Sequence, residues 1–581
     1  MHLTAANSRE LQACDSGQDP GDPDRCLALA LLDELPAMRT FLTIAPALYL
    51  FACSSGPEEL KDPPILTITS PQRSLVKEGA GQIMVTGTVA PNAEGTPVSK
   101  VLVNNVQANV NADGTFQATI DIPEGASLIE TVAKDDDGGT ATDTRAVHAG
   151  EIRTAGSNID NAVTASISTP AFAKISAAAG PIIKGMNIGE MIAPLQPMQH
   201  SGDSGGEDCL FERVFINDIK FSDVQISLIP TDGGISFRAQ IDGLDVPGYA
   251  RYAVACLDGQ TNLRVTADRV VVSGTLLVSP NGMQGFSTDL VNQDVQLTNF
   301  RFDASGIPGT IIDMIGMESA IQGIVAKGAE LAMEPMMNSA LGGLAGPKQL
   351  DVLGHQLTMQ VSPSDISFDP NGALVTMNMS MLIGGAEQSK FVFTQNGTPN
   401  ADAGQGFAFA LADDLANEMM SEAHALGVLN LSMPAQGGTF DGTDIKMTMP
   451  PMISADPTDG KMRIILGDMI ATYTNHGTPV AKAAINAKID VAIEPAANGY
   501  AVALKLGTPE IKFNVLDDIE NATRLTDADL AKASESALQA QIANISALLV
   551  NIPLPAIAGL QPRNLSVGSD NGYVIMKGEF E

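Results

Sequence analysis

Apolar and polar residues alternate along most of this chain. Between Pro64 and about Gly150 the runs ILTIT, GQIMVTGTV, KVLVNNVQANV, TFQATIDI and LIETVAKD put every second side chain on one face. That is the two-residue period of strands with one buried side. Asp113-Gly114 and Asp137-Gly138 supply turn residues between them. Short strands in this arrangement predict a β-sandwich over 64–150.

From 151 onward the strands lengthen. VQISLIP, GISFRAQIDGLDV, NLRVTADRVVVSGTLLV, KIDVAIEP and YAVALKLGTPEIKFNV keep the alternation, with Asp, Lys, Arg, Gln and Thr at the outward positions. Asp232-Gly233, Asn281-Gly282, Asn371-Gly372, Asn498-Gly499 and Asn571-Gly572 punctuate them. Helical periodicity interrupts this pattern. A shorter segment, AFAKISAAAGPIIKGMNIGEMIAPL, precedes the first long strands, and three further helices are predicted. The first of these covers 311–334, entered at Pro308 and broken at Pro335. The second carries the stripe Leu411, Leu415, Met419, Ala423 and Leu426, with Gly427 as its stop. The third opens on a capping box at Thr526 and Asp529 and carries Leu530, Ala533, Ala537, Leu538, Ile542, Ile545 and Leu549. Each is expected to lay one apolar face on a sheet.

The N-terminal region follows neither period. Residues 1–37 are rich in Asp, Gly and Pro, and are read as upstream of the true start. Met38-Arg39 then leads an uncharged run, Thr40–Ala52, too short to span a bilayer. It ends Leu50-Phe51-Ala52-Cys53-Ser54-Ser55-Gly56, which resembles a bacterial lipoprotein signal. The resemblance implies a signal peptide over 38–52, acylation at Cys53, a tether over 53–63, and a place in the cell envelope, at the outer membrane or cell surface. Of five cysteines this leaves Cys209 and Cys256, expected to form a disulfide in an oxidising compartment.

Composition narrows the partners. A formal net charge of −34 repels phosphate backbones, so nucleic acid is excluded as a partner. The chain has no Trp and 25 Met. Methionines cluster around the first predicted helix (Met314, Met317, Met333, Met336, Met337) and around the second (Met419, Met420, Met433). Such flexible side chains adapt to irregular apolar ligands, and equally well pack a dry core. The turn Asp135-Asp136-Asp137 offers carboxylates for calcium, but no second acidic cluster is in register with it, and a solvated turn accounts for it. No cofactor or metal motif emerges.

The order of these elements carries two resemblances. The 64–150 segment resembles bacterial Ig-like modules. INDIKFSDVQISLIPTDGGISFRAQIDGLDV (216–246), LADDLANEMMSEAHALGVLNLSM (411–433) and LLVNIPLPAIAGLQPRNLSVGSDNGYVIM (548–576) resemble segments of the bactericidal/permeability-increasing protein family of lipid-binding proteins. That resemblance implies an α+β fold of two tandem tubular barrels, over 155–346 and 347–581, each a twisted antiparallel sheet wrapped on a long helix. It also implies apolar tunnels for phospholipid or a similar amphiphile. Ile311, Met314, Ile315, Ile321, Ile324, Val325, Leu331, Leu415, Met419, Leu426, Leu538, Ile542, Ile545 and Leu549 are the expected pocket residues. The family's endotoxin-binding members use a basic tip, and this acidic chain does not inherit that activity.

One motif points elsewhere. GDSGG at 202–206 matches the loop around the nucleophile of chymotrypsin-like proteases. A triad needs a histidine and an orienting aspartate, and none of the six histidines sits in a matching context; His200, four residues from Ser204, has no evident orienting partner. The chain is therefore read as a lipid-binding lipoprotein and not an enzyme. Two alternatives are a structural or adhesive lipoprotein with filled barrels, and a secreted hydrolase using Ser204.

Overall fold

The computed structural model describes residues 62–581 apart from 203–208, 283–284, 305–345, 353, 396, 435–439, 457, 496–500 and most of 519–559. Residues 61–581 belong to one unit. Its organising element is the strand Thr140–Thr154. Over 140–149 its partner is Gly125–Asp135, inside an N-terminal sandwich; over 151–154 its partner is Lys390–Phe393 of the following body. The same main chain thus serves both modules, and no linker separates them.

The sandwich packs two sheets. One contains Ile65–Ser70, Gly81–Ala90, Thr115–Ile122 and Asn109–Val110; the other Leu75–Glu78, Thr140–Thr154, Gly125–Asp135, Val98–Val103 and Val106–Gln107. The alternation seen in the sequence closes over Val85, Val101, Val103, Phe116, Ile129 and Val147, all buried.

The body contains three further antiparallel sheets among the described residues. The central one runs Gly346–Val352, His355–Asp369, Gly372–Ile383, Ile159–Ser168, Phe407–Ala412, Tyr573–Phe580 and Pro562–Asp570. It therefore draws strands from both sides of residue 346. A second sheet is built on the hairpin Gly234–Val254/Leu257–Pro280 and includes Leu210–Ile216, Asp223–Thr231 and Phe286–Thr298. These hairpin strands have 21 and 24 residues, far beyond the usual three to ten. The third sheet is built on Met462–Asn475 and Thr478–Pro495.

This architecture corrects the expected α+β class of tandem barrels wrapped on long helices. The described residues are mainly strand. Their helices are Thr169–Lys184 (16 residues), Ile188–Ile192 (5) and Asp413–Ala425 (13), with a one-turn 3-10 segment at Ala193–Leu195 and scattered helical residues between 532 and 545. Among them there is no long helix enclosed by a sheet. The physical reason is where apolar area is buried. The long strands carry a complete dry face and close cores largely against one another, leaving the helices to cover edges and junctions. The predicted 311–334 helix lies outside the described residues. Of the six strand-turn signals on described residues, Asp232-Gly233, Asn281-Gly282, Asn371-Gly372 and Asn571-Gly572 in the body each join two paired strands.

The sandwich docks on the third sheet through a buried carboxylate. Asp468 sits at a bulge in Met462–Asn475, with φ of 44°. It is fully buried. It accepts from Arg73 Nη1 (2.9 Å) and from the main-chain N–H groups of Ser74 (2.6 Å) and Ala146 (3.1 Å). Asn486 donates to Thr144 O at 3.0 Å and accepts from Asp468 N at 2.7 Å. The neighbouring Gly467 is forced by proximity, because a Cβ there would lie 2.4 Å from the Ala146 side chain. Removing one partner of a buried ion pair strands the other in low dielectric. Asp468→Ala is therefore expected to destabilise the protein by about 3–5 kcal/mol, read as a lowered denaturation midpoint by circular dichroism.

Candidate functional site

The second sheet carries a broad apolar face. Its register aligns rows of aliphatic side chains across four strands: Val224, Ile241, Val270 and Leu297 in one, Ile226, Ala239, Val272 and Val295 in the next. Val246, Val265 and Phe302 form a third row. The middle of each row is closed: Val270 and Val272 have no exposed surface. The ends remain open, with Val295, Leu297, Phe300 and Phe302 only half-buried against this core.

The Thr169–Lys184 helix seals the opposite margin. Its residues Ala171, Phe172, Ile175, Ala179 and Ile183 recur at helical spacing and are buried. Ser176 Oγ accepts from Leu228 N at 2.9 Å, so the helix side chain continues the hydrogen bonding of Asp223–Thr231. Gly180 permits this closeness, since a Cβ there would meet Val224 O at 2.6 Å.

The hairpin tip is apolar outside as well. Leu257 is 76% exposed and Leu210 is 46% exposed. Cys209 and Cys256, each adjacent to one of them in the chain, are joined by a disulfide. The turn residues Ala255 and Cys256 both have positive φ (51° and 64°) without glycine or asparagine. Behind the tip, His200, Arg213, Arg251 and Gln260 share one cross-strand row. Phe215 and Tyr249 stack at 4.8 Å in the row two residues further along. A chain of such negative total charge thus holds two arginines in one row near Leu257, the most exposed leucine among the described residues.

A second apolar surface borders the Asp413–Ala425 helix. Leu415, Met419 and Leu426 are half-buried and pack with Met359 and Met379 around Leu357, Met381 and Ile383. Leu538 and Ile545 are instead fully buried in the core of the third sheet, with Ile542 beside them. Met419 borders both clusters. The expected pocket residues are therefore divided between two cores. Ile311, Met314, Ile315, Ile321, Ile324, Val325, Leu331 and Leu549 lie outside the described residues, as do Cys53 and Ser204.

The amphipathic reading of the Asp413–Ala425 helix needs correction. Its polar side is buried too: Asp413, Asp414, Asn417, Glu418, Ser421 and Glu422 all lie in the interior. Their partners are main-chain groups of neighbouring strands and loops. Asn417 both donates to Ile453 O (2.9 Å) and accepts from Ile453 N (2.7 Å). Ser421 donates to Lys390 O, and His424 Nε2 lies 3.0 Å from Met447 O. Nothing in the local sequence signals this, because Asp and Glu at those positions read as a wetted face.

Chemistry elsewhere is sparse. Asp135 is buried and its Oδ1 accepts from Asp137 N and Gly139 N, closing the acidic turn upon itself. Among the described residues no group of three metal-ligating side chains is gathered, and no helix is long and apolar enough to cross a membrane.

Comparisons with known proteins cover the two modules unequally. Residues 64–150 match the family model described as glucodextranase, domain B, in keeping with an Ig-like fold for the sandwich. No curated protein matches the chain. A crystal structure of lipopolysaccharide binding protein covers 73% of this chain and 99% of its own, at 13% identity and a TM-score of 0.36. Likeness that distant identifies neither a ligand nor a shared mechanism.

The seating of the first helix is directly testable. Gly180→Val forces it away from Asp223–Thr231 and is expected to cost about 1–3 kcal/mol, as overpacking does, seen as a lowered melting temperature.

Proposed function

We propose that this protein is a cell-envelope lipoprotein, acylated at Cys53, that binds phospholipid or a similar two-tailed amphiphile and catalyses no reaction. The observation that carries the reading is the half-open edge of the second sheet's apolar face, at Val295, Leu297, Phe300 and Phe302. Alkyl chains laid along such a surface gain about 0.8 kcal/mol per buried methylene. The exposed Leu257 and Leu210 at the hairpin tip suit contact with a lipid surface, and the row of His200, Arg213 and Arg251 suits an anionic headgroup. The competing reading is an adhesive or structural lipoprotein whose interior is filled by its own side chains.

Mass spectrometry of an organic extract of the purified protein separates the two. Stoichiometric lipid is expected, and its repeated absence overturns the proposal. Leu297→Asp with Phe302→Asp is expected to cut retained lipid about tenfold, equivalent to about 1.4 kcal/mol. Cys53→Ser is expected to move the protein from the detergent phase to the aqueous phase; unchanged partition would refute the anchor without touching the binding claim.

A further inference from the structure

The Asp413–Ala425 helix buries three carboxyls four residues apart, Asp414, Glu418 and Glu422, and each grips a different segment. Asp414 accepts from Thr394 N (2.9 Å) and Thr394 Oγ1 (3.2 Å), just past the strand that pairs with Thr140–Thr154. Glu418 accepts from Gly156 N (2.8 Å), just beyond the end of that shared strand. Glu422 accepts from Ile383 N (2.7 Å), at the end of a central-sheet strand. Asn417 holds Ile453 of the third sheet. One helix therefore fastens the sandwich junction, the central sheet and the third sheet together.

The fastening is incomplete in an informative way. Glu418 and Glu422 are both fully buried, yet Glu418 Oε2 and Glu422 Oε1 have no partner. A buried carboxylate in that position would be an uncompensated charge, whereas the neutral acid leaves at most one O–H without an acceptor, a smaller penalty than a bare charge. We propose that this helix is a proton-held clasp: with its carboxyls in the acid form it locks the three bodies together, and loss of those protons on the alkaline side loosens the junction.

The surroundings fix the sign. Burial pushes Glu418 up to about 9, with Glu422 and Asp414 adding to the rise. Burial likewise raises Glu422 to about 7, aided by Glu387. Asp414 is raised to about 7 by burial, against the bonds from Thr394 and the charge of Arg153 and with that of Glu124. Burial raises Tyr573 to about 12, with the facing Asp414 and Asp413 adding to the rise, and it stays neutral. On the same helix His424, near Lys446, is lowered by burial. His148, in the shared strand and facing His424, is lowered by burial to about 3. For the three carboxyls the folded state holds protons that the unfolded chain has shed. Their contribution is fully present below the unfolded values near 4 and is lost as pH rises through 7 to 9. The two histidines act only on the acid side.

Hydrogen exchange on the full chain at about pH 6 and about pH 9 tests this. Protection factors at Ile152, Phe391 and Val392 should fall with pH relative to Val101 and Val147 in the sandwich core, by about tenfold per pH unit for each proton shed. Glu418→Gln with Glu422→Gln copies the neutral acids and should flatten that fall while leaving protection at pH 6 intact. A junction whose protection tracks the core at both pH values overturns the proposal, as does an equal slope in the variant. Should the variant not fold, the junction-to-core comparison in the unaltered protein decides alone.

Discussion

Main-chain hydrogen bonding along one uninterrupted strand is the constraint on which the molecule depends. Thr140–Thr154 cannot leave the sandwich without also breaking its ladder to Lys390–Phe393. Side chains then extend the same logic across the gap to the third sheet. Asn514 accepts from Thr144 N at 3.0 Å and donates to Thr142 O, so an amide side chain stands where a neighbouring strand would be. Lys512 pairs with Glu130 at 3.0 Å beside it. A module that reads from sequence as a separate sandwich is built as a wall of the body, and its orientation is set by backbone geometry.

Given that frame, the kind of side chain decides where the interior is solid. The central sheet is plugged by aromatic rings, Phe407 against Phe580 at 4.5 Å and against Phe409 at 5.2 Å. The rows of the second sheet through Val270 and Val272 are aliphatic, and their outer ends stay half-open.

Much of this was legible from alternation alone. The strands of the sandwich and the long hairpin follow from period-two patterning, since each has one wet face and one dry one. The Asp-Gly and Asn-Gly turns were equally visible, because their chemistry is local. The Ala255-Cys256 turn was not, for it lacks those residues and is held by Cys209, 47 positions away in the sequence. The helical stripes of Leu415 and Leu538 were legible as elements, yet their cores were not. Which sheet a helix meets depends on pairings between segments hundreds of residues apart, such as Ile159–Ser168 with Gly372–Ile383. The buried polar side of Asp413–Ala425 was invisible for the same reason: its partners are backbone atoms of distant strands.

The two buried acidic sites show why such groups must be read by their partners. Asp468 receives a guanidinium and several amide donors, so its charge is compensated where it lies. Glu418 receives one amide and faces two further carboxyls. Both are fully buried, so depth does not distinguish them. What differs is the number of donors aimed at each oxygen, and that number sets how far a buried charge is compensated. The first is a fixed bolt between sandwich and sheet. The second holds only while its protons stay, which places the pH sensitivity of that junction on the helix.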